Sequence, residues 1–155
     1  MSDPFGAIHG VTNACQLAPG LVTGGQPEAR HLEALAAAGG GVVLDIRDPM
    51  EPRSFDEPAY ARQLGLEYVN VPVSPATLSD DTIERILTVV REAAGRTVFF
   101  HCGSGNRVGG ALIPWFLLDQ GMDEEAAIEQ AMRVGLRSPA MLEWGLEYAR
   151  RKAGA

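Results

Sequence analysis

One segment of the chain gathers residue types that do covalent chemistry at a spacing that lets them act together: His101-Cys102-Gly103-Ser104-Gly105-Asn106-Arg107. Gly103 and Gly105 allow the backbone to curl so that successive N–H groups point inward. A helix starting near Asn106 adds its positive dipole end, and together they make a cradle for an anion such as phosphate or sulfate. Arg107 can close that cradle, because a guanidinium matches a tetrahedral oxyanion with two parallel donors. Cys102 sits at the floor, where the same amides, dipole and guanidinium favour thiolate over thiol. A nucleophile and an oxyanion site then share one loop. That is the arrangement for in-line attack on a phosphoryl group through a covalent cysteinyl intermediate. The same geometry suits a persulfide carried on Cys102, as in sulfur transfer, or a phosphate-binding module with little turnover. A buried cysteine in a glycine-rich turn is the plainest alternative.

The segment needs a scaffold, and the flanking patterns supply one. Thr97 to His101 (TVFFH) is a β-branched and aromatic run too short for a helix, and it reads as the central strand. Gly41 to Ile46 reads as a second buried strand and Leu66 to Val73 as a third, with a short hairpin from Cys15 to Thr23 before them. Helices are predicted from Gln26-Pro27 to the glycines at 39–41, around Pro58 to Gln63, after the N-cap Ser79, over 106–120, over Asp123 to Val134 and over Ser138 to Lys152. Strands alternating with helices on apolar runs imply an α/β fold. The expected form is a three-layer sandwich whose mostly parallel sheet of four to five strands is flanked by helices. In such a sheet the turn after the central strand lies at the carboxyl edge, where ligands bind. Asp45 and Arg47, at the end of the neighbouring strand, belong to the same edge. They can brace the loop or touch substrate, and an ion pair between them is the simpler expectation. His101 can tune Cys102 or serve as a hydrogen-bonded structural histidine. Pro114 is expected to kink its helix near Gly109-Gly110, Trp115 and Trp144 to fill the core, and Arg137 to lie in a solvated loop.

Composition narrows the class further. At 155 residues, against roughly 100 to 200 per domain, the chain reads as a single domain spanning 1–155. A net charge of −7, with no Lys/Arg run longer than Arg150-Arg151-Lys152, disfavours nucleic acid as a partner. The longest apolar run, Ala111 to Leu118, is far short of the roughly 20 residues that cross a bilayer, so no membrane partner is expected. Two cysteines, Cys15 and Cys102, are too few for a disulfide framework and suit a reducing compartment, so the expected location is cytoplasmic. His9, His31 and Cys15 do not share ligand spacing with Cys102, so zinc is not expected, nor any other metal or cofactor.

His101-Cys102 followed by Gly105 and Arg107, with Thr23-Gly24-Gly25-Gln26-Pro27 upstream and Leu66-Glu67-Tyr68-Val69-Asn70-Val71-Pro72-Val73 between them, resembles a known family. This is the bacterial phosphatase-like domain distantly related to dual-specificity and tyrosine phosphatases, also found fused to hydrolases as the β-lactamase-hydrolase-like phosphatase domain. The resemblance covers about residues 15 to 135. It implies a cysteine-phosphatase fold, with Cys102 as nucleophile, Arg107 as phosphate clamp, and Gly103, Ser104, Gly105 and Asn106 as the backbone cradle. It also implies a phosphorylated protein or small molecule as substrate. Three departures bear on chemistry. Four residues separate Cys102 from Arg107, one fewer than in ordinary tyrosine and dual-specificity phosphatases and equal to the rhodanese-like length. Leu44-Asp45-Ile46-Arg47-Asp48-Pro49 also looks like a rhodanese strand. Val108 replaces the Ser or Thr that helps the thiolate leave, and residues 70–78 hold no Asp or Glu to act as general acid. Asp80 and Asp81 read as first-turn helix charges. Without an acid, only good leaving groups are expected to depart readily.

Overall fold

The computed structural model describes residues 3–93 and 95–154. The alternation of apolar positions builds the sheet. Strands β1 (Cys15–Ala18), β2 (Leu21–Gly24), β3 (Val42–Asp45), β4 (Glu67–Asn70) and β5 (Val98–His101) lie in the order β1-β2-β5-β3-β4. β1 is antiparallel to β2, and the other neighbours are parallel. Because successive strand residues face opposite sides, the sheet has two apolar faces. Val22, Val43 and Phe99 pack with Leu32 and Leu35 of α2 (Ala29–Ala37), with Ala61 of α3 (Glu57–Gln63), and with Ile8 just after the short α1 (Pro4–Ala7). Leu21, Val42, Leu44, Val98 and Phe100 pack on the other side, against α4 (Asp80–Arg91), α5 (Asn106–Pro114), α6 (Glu124–Val134) and α7 (Pro139–Ala153). This is the expected three-layer α/β sandwich, with five strands. Among the described residues no helix is long and apolar enough to cross a membrane.

The chain reverses its winding between β4 and β5. β2 to β3 and β3 to β4 cross over by α2 and α3 on one face, and β4 returns to β5 by α4 on the other. The turn after β5 therefore departs from the face opposite to those after β2 and β3, which opens a crevice at the carboxyl ends of these strands.

Two elements differ from expectation. The Gln26-Pro27 pair does not start α2, which begins at Ala29 with Glu28 at its N-cap. The Gln26 amide is spent on the Gly103 carbonyl, 2.9 Å away, so Gln26 belongs to the crevice and the helix opens later. Nor does one unbroken α-helix run over 106–120, although Gly109 and Gly110 lie within its α-helical part. After Pro114 the chain passes into a π-helical turn, Trp115–Asp119. A proline lacks the N–H that would bond the carbonyl of Gly110, and that carbonyl faces the backbone of Gly145 on α7 instead. A β-carbon on Gly145 would lie 2.3 Å from it. Trp115 and Trp144 are buried, as expected. Close packing of α5 on α7 predicts that Gly145→Ala costs about 1–3 kcal/mol through overpacking. Chemical denaturation followed by tryptophan fluorescence would check this; an unchanged midpoint would mean that the two helices can move apart.

Candidate active site

β5 delivers the chemistry-bearing segment to the crevice. His101 ends the strand, Cys102 donates its N–H to the Gly24 carbonyl of β2 at 3.3 Å, and the chain turns through Gly103 to Gly105 into α5. Gly105 occupies the N-cap with φ 98°, a left-handed conformation that glycine adopts without strain, and a β-carbon there would lie 2.3 Å from the Val134 carbonyl. Cys102 is buried, and its Sγ accepts a hydrogen bond from the Gly105 N–H at 3.1 Å. The Arg107 guanidinium reaches back over the turn, with Nη2 3.3 Å from where a Gly103 side chain would begin. Thiol, glycine turn, helix start and guanidinium thus converge. Ser104 is exposed at the rim. The Asn106 side chain points away from the cradle: its Oδ1 accepts the N–H groups of Arg137 and Ser138 at 2.7 and 3.0 Å and so pins the α6–α7 loop to α5. Arg137 is exposed, its guanidinium bonded to the Met132 and Leu136 carbonyls.

The floor of the crevice is a network of charges. His101 is fully buried, with Nε2 2.5 Å from Glu57 Oε2 and Nδ1 3.2 Å from the Cys102 carbonyl oxygen. Burial opposes a charged imidazole, but the Glu57 carboxylate outweighs it and raises the His101 pKa. Conversely, burial opposes ionised Glu57, yet His101, Gln26 and Arg53 hold its pKa below the ordinary value. A carboxylate and a carbonyl can only accept, so both ring nitrogens carry protons and His101 is an imidazolium. Asp45, Glu57 and His101 present donor atoms within 4.8 Å of one another. A second cation beside them is Arg53, paired with Asp45 and 3.4 Å from Glu57.

The expected Asp45–Arg47 ion pair is replaced by a different arrangement. Asp45 accepts the Arg47 backbone N–H at 2.9 Å and the Tyr68 hydroxyl at 2.6 Å, and its charge partner is Arg53. The Arg47 guanidinium turns to Glu51 at 3.2 Å, the Gln26 side-chain oxygen and the Pro52 carbonyl. The reason is geometric: two residues along an extended strand end, Asp45 and Arg47 meet through a backbone turn, which leaves each side chain a separate partner. Glu51 then bridges the two arginines, taking Nη1 and Nη2 of Arg107 at 2.7 and 3.0 Å. The Arg107 hydrogen bonds are the largest reason why the Glu51 pKa falls to about 2. Arg107 Nη1 also lies 3.3 Å from the Val73 carbonyl, so the segment after β4 abuts the clamp. Asp80 and Asp81 sit in the first turn of α4, and Asp80 pairs with Arg151.

Sequence reasoning missed Glu51, Glu57 and Arg53. The available signal was three ionisable residues packed into the short span after the β3 strand end, at the edge where the cysteine turn emerges.

A family model described as "DSP-PTPase phosphatase fused to NAD+ kinase" matches residues 12–143. The chain belongs to this family. The beta-lactamase hydrolase-like protein of Agrobacterium fabrum is 31% identical over 91 residues, 56% of this chain. The matched region is 21% of that protein, so the chain spans about a fifth of its length. The fold is shared with a DUF442 protein of Shewanella putrefaciens at TM-score 0.79 and 21% identity, covering 95% of this chain and 97% of the other. It is shared with Pseudomonas aeruginosa TpbA, solved in complex with pTyr, at TM-score 0.70 and 20% identity, covering 89% and 83%. The core catalytic domain of a PP-IP phosphatase of Saccharomyces cerevisiae, in complex with citrate, follows at TM-score 0.74 and 14% identity, covering 93% of each chain.

In this DSP-PTPase chain the Glu57–His101 pair sets a pH window. The raised His101 pKa gives stability that is complete below its ordinary 6.5 and is lost as pH rises through the folded value. The lowered Glu57 pKa gives stability present above its ordinary 4.5 and lost as pH falls through the folded value. Glu57→Gln is expected to cost about 3–5 kcal/mol near neutrality and to remove the alkaline decline. Urea unfolding of wild type and variant from acid to alkaline pH measures both; parallel profiles would sink the assignment of that decline to His101.

Proposed function

We propose that the chain hydrolyses phosphomonoesters through a cysteinyl-phosphate formed on Cys102. The observation that carries this reading is the Gly105 N–H on Cys102 Sγ at 3.1 Å beneath the Arg107 guanidinium. In the first step the Cys102 thiolate attacks phosphorus, a P–S bond forms, and the P–O bond breaks with its electron pair leaving on the alcohol oxygen. Loop amides and Arg107 hold the equatorial oxygens. In the second step water attacks the phosphocysteine, releasing phosphate and returning the thiolate. Membership of a phosphatase family supports the same reaction.

The surroundings of the cradle shape the substrate class. The segment next to Arg107, Val73 to Ser79, carries no carboxyl group, and the Thr77 hydroxyl is bonded to the Pro72 and Ser74 carbonyls. Glu51 is the nearest carboxylate to Arg107 and is ionised far below neutral pH. Hence neither this segment nor Glu51 is set to protonate the departing oxygen, which favours substrates whose leaving group is stable as an anion. Aryl phosphates, including phosphotyrosine in a protein, and small acidic phosphates meet that condition. Val108 is buried on α5, so no hydroxyl follows the clamp to assist thiolate departure.

Hydrolysis of para-nitrophenyl phosphate from pH 5 to 8 is expected in wild type. Cys102→Ser should lower kcat by about three orders of magnitude or more, and Arg107→Lys should lower kcat/KM by about 100-fold. Sulfur transfer from thiosulfate to cyanide without phosphate ester turnover would replace this reading with the sulfurtransferase one. Aryl phosphates should exceed alkyl phosphates by about 100-fold or more, the contribution that a positioned acid would otherwise make. Rapid mixing is expected to show a burst of nitrophenolate, because the second step lacks its hydroxyl. A linear time course from the first turnover would show that dephosphorylation is not the slow step.

A further inference from the structure

We infer that Asn13 is a positioning residue of the anion cradle, holding the Ser104 carbonyl outward and so aiming the Gly105 N–H at Cys102 and at the bound anion. The inference rests on the reading of the Cys102 loop as a phosphate site.

In a trans peptide the carbonyl of one residue and the N–H of the next point in opposite directions. A loop can therefore turn its amides inward only if its carbonyls turn outward, and each of those carbonyls needs a donor. Four successive carbonyls of this loop have one. The Cys102 carbonyl faces His101 Nδ1 at 3.2 Å, the Gly103 carbonyl accepts the Gln26 N–H at 2.9 Å, and the Gly105 carbonyl accepts the Gly109 N–H of α5 at 2.9 Å. The fourth, on Ser104, accepts Asn13 Nδ2 at 2.8 Å, across 91 positions of sequence. Ser104 contributes its carbonyl to the same peptide unit whose N–H, that of Gly105, lies 3.1 Å from Sγ. Asn13 thus acts on the amide that donates to the nucleophile.

The backbone is arranged to present that side chain. Asn13 has φ 56°, a left-handed conformation that asparagine tolerates better than most residues. The Gly25 N–H donates to the Thr12 carbonyl at 2.9 Å, so the Asn13 turn is tied to the segment that also carries Gln26. Asn13 is exposed and lies outside either hydrophobic core, so its side chain serves the loop and not the packing.

Two variants separate the amide from the turn. Asn13→Gly keeps the left-handed backbone and removes the donor; Asn13→Asp keeps the shape and presents a carboxylate, which cannot donate. Inorganic phosphate is titrated calorimetrically into the full chain, beside para-nitrophenyl phosphate kinetics and thermal unfolding. Both variants are expected to weaken phosphate binding and to lower kcat/KM by about three- to tenfold, the worth of one hydrogen bond. The unfolding midpoint of Asn13→Gly should fall by no more than the few degrees that one hydrogen bond is worth, so that the variant stays folded in the assays. Phosphate affinity within about twofold of wild type in a folded variant, or no phosphate binding by wild type, overturns the inference. Wild type that binds phosphate in an Asn13-dependent way but hydrolyses no ester would overturn the phosphatase reading and leave the cradle assignment standing.

Discussion

The contact between the His101 imidazolium and the Glu57 carboxylate is the constraint on which the carboxyl edge of this protein depends. Both groups are fully buried, and taking two ions out of water costs several kcal/mol each unless geometry and further hydrogen bonds offset the loss. The offset comes from strand register. β3 and β5 pair so that Asp45 stands beside His101, and β4 places Asn70 beside Asp45, from where its amide donates to the Asp45 and Arg47 carbonyls. Around that fixed row the side chains alternate in sign: Glu57 and Asp45 with Arg53, Glu51 with Arg47 and Arg107. Three carboxylates and three guanidiniums cancel, and the imidazolium leaves one positive charge. The field that receives an anion is therefore a property of the whole sheet edge, not of Arg107 alone.

What could be read from the chain beforehand divides by the range of the interaction. Thr97 to Arg107 was legible because strand, glycine turn, nucleophile and guanidinium are contiguous, and each announces itself by residue type. The sandwich was legible because apolar runs of four to six residues alternate with amphipathic stretches. The partners of those residues were hidden. Glu51 reaches Arg107 across 56 positions and Glu57 reaches His101 across 44, and a charged loop such as 47–57 has the composition of a solvated one. Asp45 and Arg47 suggested a local ion pair because proximity in sequence was the only distance available. The surroundings of Pro114 were legible only in part, for a similar reason. The residue that loses a hydrogen-bond donor was visible, but the Gly145 backbone that receives the Gly110 carbonyl comes from another helix.

The same division explains how the loop is kept rigid. α5 is held along its length by α6 and α7 through close glycine contacts, and at its start by the Asn106 side chain on the α6–α7 turn. Rotation of α5 would carry Arg107 away from Cys102. The end of α6 lies against Gly105, and the late helices together form the frame that fixes where the helix start and its dipole point.

Glu51 occupies one edge of the Arg107 guanidinium, and it stays ionised down to about pH 2. Acidification within any range a cell survives cannot discharge that carboxylate and free the arginine. Entry to the site is in that respect a contest between anions: a ligand either accepts the N–H groups that Glu51 leaves or displaces it. The response to acid is left to the ligand's own protonation, so the dianion and monoanion of a phosphate ester should be distinguished by the substrate's chemistry while this contact in the protein stays constant.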